Sequence, residues 1–322
     1  MNDLSSYREV FADLEPWSGE VPEGFLVDFI GALTDVNFRL DFGATTDMAK
    51  QRTATTVLPT IGDGEGWFEA VNWVEAAREA QGRFVMMTLG ACYGGQAVGA
   101  YFALQKINPM PCRLVLVEPD PNNCEWIVRH LRDNGLDPDD HWIVPYAISD
   151  TTDPVFFPVG SPGSGAQNCF ASNEAAARQS YADQLISNGG ADKALRNLLL
   201  TNSTGITKNL VPGRDWTAEI KLMSAITLRE LLGPFDVVDY LESDIQQSEI
   251  LVFPPCMELL RKKVRRILIG THGQDVHGTL HKLFEERGWE IIFSYAPNAT
   301  YESPMGSFSM NDGVLTVKNP DL

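Results

Sequence analysis

From Gly66 onward the chain alternates between two hydrophobic periods. Trp67, Val71, Val74 and Ala77 recur three or four residues apart, which predicts one apolar helical face ended by Gly82. Arg83 to Leu89 is a short, unbroken apolar run, the mark of a strand buried on both faces. Gly94 to Ile107 reads as a helix whose small residues suit close packing on a sheet, stopped by Asn108 and Pro109. The unit then repeats with a strand at Arg113 to Glu118, a helix at Pro121 to Asn134 capped by Gly135, and a strand at Trp142 to Ala147. Repeated βα units predict right-handed crossovers and a mostly parallel sheet.

That rhythm is interrupted over 161–215. Glycine and proline punctuate both ends, and helices are expected from Ser172 to Ile186 and from Ala191 to Leu200, so the stretch reads as an inserted helical lid. Alternation resumes with Glu219 to Ile226, strands at Phe235 to Leu241 and Arg266 to Ile269, and helices at Pro255 to Lys263 and Val276 to Arg287. Glu290 to Ser294 and Val314 to Val317 predict a closing hairpin. The first 65 residues are irregular and are expected to form an N-terminal accessory segment, with the main domain over 66–322.

Composition narrows the partners. The 322 residues carry 43 acidic and 25 basic side chains, a formal charge of −18 that repels a phosphate backbone, so no nucleic-acid partner is expected. No apolar run is long enough to span a bilayer, and the acidic start lacks the regions of a signal peptide. Five scattered cysteines without a C-x-x-C pair point to free thiols in a reducing cytoplasm.

Ligands of open α/β sheets bind beyond the carboxyl ends of the strands. Three such ends carry informative residues. After the first strand, Gly90, Ala91, Cys92 and Gly94 form a G-x-x-x-G turn, wider than the G-x-G-x-x-G of a dinucleotide loop and suited to an amino-acid moiety. After the second, Glu118 and Asp120 flank Pro119, and a carboxylate there can accept from a ribose diol; a solvated strand end is the plainer alternative. After the third, Ala147 could line an adenine pocket, with Asp150 accepting from its amino group.

Taken together, these positions resemble the FkbM-like branch of S-adenosylmethionine-dependent methyltransferases. The family motif D-x-G-A-N-x-G aligns with Thr88 to Gly94, its E-P pair with Glu118 and Pro119, and its block D-L-L-K-x-D-x-E-G-x-E with Asp239 to Glu249. The resemblance covers roughly residues 66–317 and implies a three-layer Rossmann-like methyltransferase fold, its mostly parallel sheet closed by an antiparallel strand. It also implies S-adenosylmethionine as cofactor and a small hydroxylated acceptor, with Glu69 as partner of the donor's amino group. Four positions depart from the pattern: Thr88 for aspartate, Cys92 for asparagine, Glu242 for lysine, and Gln246-Gln247 for Glu-Gly.

Methyl transfer to a hydroxyl needs a base, and a strongly anionic wall would oppose loss of charge at sulfur. Asp244 is the first candidate and His272 the second, with Asp244 and Glu249 as an expected acid pair. His277 and His281, one helical turn apart, lack a marked third ligand, so no metal is expected. The basic run from Arg261 to Arg266 is expected to be a solvated, dipole-matched helix end. Two other functions stay open: a cofactor-binding partner without turnover, and an NAD-dependent oxidoreductase.

Overall fold

The computed structural model describes residues 4–40, 44–160, 171, 173–177, 206–208 and 217–322. The N-terminal part holds four short strands, β1 (Ser18–Val21), β2 (Phe25–Val27), β3 (Leu33–Asp35) and β4 (Arg52–Thr55), with a one-turn helix α1 (Val36–Arg39) after β3. It is followed by α2 (Glu65–Glu79), β5 (Phe84–Leu89), α3 (Gly95–Ile107), β6 (Cys112–Val117), α4 (Pro121–Asp133) and β7 (Trp142–Val144). Asp120 caps α4 by accepting from the Asn122 N–H, and Pro121 occupies the first turn, where a missing N–H costs nothing.

The expected third strand is broken. Pro145 cannot donate to a ladder, so β7 ends at Val144 and Ala147–Ser149 (β8) leaves the main sheet. There β8 pairs in parallel with Ala225–Thr227 (β12). Between them, Val155–Gly160 (β9), Ile206–Lys208 (β10) and Thr217–Met223 (β11) form an antiparallel sheet in the order β10-β11-β9. The insertion expected as helical therefore has strands at its flanks. Helix is described only at Glu174–Ala177, started by the Asn173 side chain, and the rest of both expected lid helices lies outside the described residues.

The later strands are β13 (Val238–Ser243), β14 (Val264–Thr271), β15 (Glu290–Tyr295), β16 (Ala299–Ser303), β17 (Gly306–Met310) and β18 (Gly313–Lys318). The main sheet has seven strands in the order β15-β18-β14-β13-β5-β6-β7, and only β18 is antiparallel to its neighbours. Numbered by their own succession in the chain, these strands read 3-2-1-4-5-7-6, with strand 7 reversed between 5 and 6. This is a Rossmann-like methyltransferase fold. The loop expected between the last two strands contains its own hairpin, β16–β17.

Helices cover both faces. One core joins α2 and α3 to Met86, Leu116 and Tyr240, and residues of the N-terminal segment (Leu4, Phe11, Leu14, Ile30) complete it. The other lies under the helices at Leu228–Leu232, Met257–Lys263 and Gln274–Glu286. The basic run is not a solvated face throughout: Arg266 is 2% exposed and bonds Glu79 and Asn72, while Lys263 donates to the carbonyls of Leu232, Gly233 and Phe235. Among the described residues, no helix is long and apolar enough to cross a membrane.

Candidate functional site

The chain reverses its direction across the sheet between β5 and β13, so their carboxyl ends form the topological switch point. The Asp244 N–H donates to the Leu89 carbonyl at 2.9 Å, which ties the two ends together. Gly90 sits in that junction with φ +81, and a Cβ there would lie 2.1 Å from the Asp244 carbonyl oxygen, so no side chain fits. Gly94 (φ +88) turns the backbone into α3. Cys92 also has positive φ, +52, where the family pattern carries asparagine, a residue that tolerates this region far better.

A cavity of about 470 Å³ opens over this junction. Gly90, Ala91, Cys92, Glu69 and Asp244 all line it, so the first glycine turn, the helix glutamate and the strand-end aspartate converge. Gly94 shapes the turn from behind. Glu118 does not line the cavity; it is 5% exposed and holds the turn, accepting from the Cys92 N–H at 2.8 Å, the Asp120 N–H at 2.9 Å and the Asn123 amide at 3.3 Å. Burial pushes its carboxyl up to about 7 against those bonds. Asp120 is spent as the cap of α4. Ala147 is buried in the β8–β12 ladder, and Asp150 is exposed and accepts from the Ser149 hydroxyl, so neither reaches the cavity.

Asp244 and His272 meet. The His272 Nε2 lies 3.5 Å from Asp244 Oδ1 and 3.7 Å from Asp312 Oδ1. The Gln246 amide nitrogen bridges them, 3.0 Å from Asp244 Oδ1 and 2.8 Å from His272 Nε2. In this orientation the ring accepts at Nε2, and its Nδ1 is buried without a partner among the described residues; the reversed amide would accept from an Nε2–H instead. Glu249 does not line the cavity; it is fully buried and accepts from the Ile245 N–H, and Asp244 is among the charges that raise its carboxyl. His277 and His281 are engaged elsewhere, bridged through the Ser294 hydroxyl. Among the described residues no group of three His, Cys, Asp or Glu is placed to hold a metal ion.

The sequence did not mark Asp28, Arg39, Glu65 or Asp312 as site residues, yet all four line the cavity. Glu65 lies one helical turn before Glu69, a spacing that could have found it. Asp28 and Asp312 come from turns and Arg39 from the one-turn α1, all too short to give a periodic signal. Glu242, noted only as a departure, lies opposite Thr88 in the β5–β13 register and accepts its hydroxyl hydrogen bond. Both are buried, so two departures from the family pattern satisfy each other.

Crowding of acids in low dielectric raises their proton affinity. Burial first, then Glu69, Asp244 and other acids, pushes Glu65 up to about 9. Burial and Asp244 push Glu69 up to about 7, opposed by the Gln96 amide and Arg39. Glu242 is raised well above the usual carboxylate range, and Asp244 is raised by burial although His272 pulls it back down.

No family model matches the chain. A provisionally named methyltransferase of Jannaschia sp. (strain CCS1) is 31% identical over 85 residues, a match spanning 26% of this chain and 30% of that relative. Among solved structures, precorrin-6y C5,15-methyltransferase of Geobacter metallireducens GS-15 superposes with a TM-score of 0.38 at 10% identity, covering 78% of this chain and 86% of that one. The methyltransferase FkbM of Methylobacillus flagellatus KT gives 0.39 at 10% identity, over 74% and 45% of the two chains. Superpositions this loose add no weight beside the strand order.

Proposed function

We propose that the protein is an S-adenosylmethionine-dependent O-methyltransferase acting on a hydroxyl of a small, sugar-like metabolite. The observation that carries the reading is the junction at the switch point, where the bare backbone of Gly90–Cys92 and the Asp244 carboxyl share one cavity wall. The donor set fits the amino-acid half of the cofactor. Free N–H groups at the start of the thirteen-residue α3 and the Arg39 guanidinium suit its carboxylate, and Glu69 suits its ammonium. Glu118 acts one step removed, by holding the Cys92 N–H and with it the shape of the turn.

When bound, S-adenosylmethionine supplies a methyl group on a cationic sulfur. The chain's part is to orient the acceptor and take its proton. Asp244 is the group placed for this, with His272 and the Gln246 amide fixing its orientation. An anionic wall would favour the charged sulfonium over the transition state, in which that charge is lost. Glu65, pushed up to about 9, holds its proton at neutral pH, and burial raises Glu242 in the same direction, so the wall is less negative than its residue count. Residues 1–65 act as an accessory segment that helps roof the cavity through Asp28, Ala32 and Arg39.

Binding without turnover is the second reading, favoured by the exchange of the family's aspartate–lysine pair for Thr88–Glu242. Isothermal titration with S-adenosylmethionine, S-adenosylhomocysteine and NAD separates the alternatives. The two sulfur nucleosides are expected to bind and NAD is not, and Gly90→Ala is expected to remove the binding. Absence of heat with both nucleosides would end the methyltransferase reading, and binding without methyl release to any hydroxylated acceptor would favour the second.

A further inference from the structure

The cavity lining is of two kinds. Glu65, Asp244 and Asp312 give it an acidic part, over the bare backbone of Gly270. A second group carries no charge: Ala32 and Thr34 from the N-terminal segment, Tyr93 from the glycine turn and His130 from α4. The strand-end positions expected to hold a nucleoside, Glu118, Asp120, Ala147 and Asp150, all lie outside the lining. The nucleoside half of the donor therefore needs another wall.

The uncharged group is built by contacts between segments far apart in the chain. The Leu33 N–H donates to Asn134 Oδ1 and the Leu33 carbonyl accepts from Asn134 Nδ2, both at 2.8 Å. Asp35 pairs with Arg129. Thr34, between these two anchors, is thus clamped to α4 and its C-cap. Phe38, 1% exposed, packs on Tyr93 with ring centroids 4.3 Å apart, and Tyr93 meets the His130 ring edge-on at 5.0 Å.

His130 is 4% exposed, and burial pushes it down to about 4, so the ring is neutral at neutral pH. The two Leu33 bonds fix which end of the Asn134 amide carries its hydrogens, and that nitrogen stands 3.5 Å from His130 Nδ1. Nδ1 therefore presents its lone pair and Nε2 holds the proton, for which no acceptor is found among the described residues. The Thr34 side chain has no hydrogen-bond partner among them either. One N–H donor and one hydroxyl beside an aromatic ring suit a flat base that offers a ring nitrogen next to an exocyclic amine.

We infer that the nucleoside half of the methyl donor turns toward the N-terminal segment, its adenine lying along Tyr93, with a ring nitrogen accepting from His130 Nε2–H and the amine donating to the Thr34 hydroxyl. This rests on the methyltransferase reading. It gives residues 1–65 a part in recognising the cofactor, and it leaves the acidic part of the lining to the acceptor.

Isothermal titration with S-adenosylhomocysteine and S-inosylhomocysteine tests this. Hypoxanthine carries a carbonyl where adenine carries its amine, and an N–H at the adjacent ring nitrogen, so both hydrogen bonds are reversed. The adenine nucleoside is expected to bind at least about tenfold tighter. Thr34→Val and His130→Phe should each erase most of that preference. In the unaltered protein, NOEs from adenine H2 and H8 are expected at the Thr34 methyl and the Tyr93 ring protons, a readout that needs no variant. Equal affinity for the two nucleosides, a preference untouched by both variants, or NOEs to Ala147 and Ile148 instead would overturn the inference and leave methyl transfer standing. Failure of S-adenosylhomocysteine itself to bind would remove the reading beneath it, and the inference with it.

Discussion

The two ends of the central sheet treat buried charge in opposite ways. At the amino ends of β13, β14 and the neighbouring end of β18, buried charges are paired. Arg266 pairs with Glu79 at 3.1 Å, Lys318 joins the same carboxylate at 2.7 Å, and Arg265 lies 3.4 Å from Asp239. The two cations hold the Glu79 carboxyl below the usual carboxylate range despite its burial. At the carboxyl ends the acids outnumber Arg39 in the cavity lining, and the proton affinities of Asp28, Glu65, Glu69, Glu242 and Asp244 rise. Paired charge serves the fold, whereas unpaired charge in a cavity costs stability and is retained for a task.

The sharpest way to break this comparison is to change one residue at each end. Asp244→Asn should lower methyl transfer about 10²- to 10⁴-fold, the range typical of a removed general base, with nucleoside affinity and unfolding midpoint nearly unchanged. Arg266→Ala should do the reverse. It removes a large side chain that is 2% exposed and breaks a buried ion pair, so a loss of about 3 kcal/mol is expected in denaturant unfolding, with kcat retained in the folded fraction. If Asp244→Asn unfolded the protein while Arg266→Ala only slowed it, the two ends would have been assigned the wrong roles.

Much of the fold was legible because the main strands are buried on both faces and the helices present one apolar stripe. Those periods mark β5, α3, β6, α4 and β14 with boundaries within a few residues. Pro145 was visible and its effect on the third strand was not, because a proline tolerated at a sheet edge and one that ends a strand look alike in sequence. The glycine turn, Glu69 and Asp244 were readable as strand-end and helix-face residues, and all converge on the cavity. Glu118 and Asp120 lie beside the glycine turn, but their carboxylates are engaged with backbone N–H groups. A pattern can locate a carboxylate without revealing which protons it already accepts. Arg39 and Asp312 reach the wall from segments whose position is set by tertiary packing alone.

A pH titration sharpens the contrast further. Glu65, Glu69 and Glu118 have folded values of about 9, 7 and 7, above the unfolded carboxylate range near 4.5. Each favours the fold fully below the unfolded value, and that contribution is lost as pH rises through the folded one. Glu79 runs the other way: its contribution is present above about 4.5 and is lost as pH falls. The unliganded protein should therefore lose stability between about pH 5 and pH 9, and Glu65→Gln with Glu69→Gln should flatten that slope in urea unfolding. Glu79→Gln should leave the slope in place and lower stability mainly at neutral pH. A slope unchanged in the double variant would mean that the cavity acids titrate together with solvent.

The smallest effect concerns the turn that carries the site. Gln246 and Gln247 both have positive φ, +54 and +77, and Gln247 stands where the family pattern has glycine. An L-residue in this region costs roughly 1–2 kcal/mol, and glycine avoids that cost while adding about 0.5–1 kcal/mol of backbone entropy to unfolding. Gln247 is exposed, and Gln246 supplies the amide between Asp244 and His272, so only the former can be replaced without touching the site. Gln247→Gly should raise stability by up to about 1 kcal/mol with kcat and KM unchanged. If the gain came with a fall in kcat, the strain at Gln247 would itself be holding the Gln246 amide in place, and the carboxyl end of the sheet would store conformational as well as electrostatic cost.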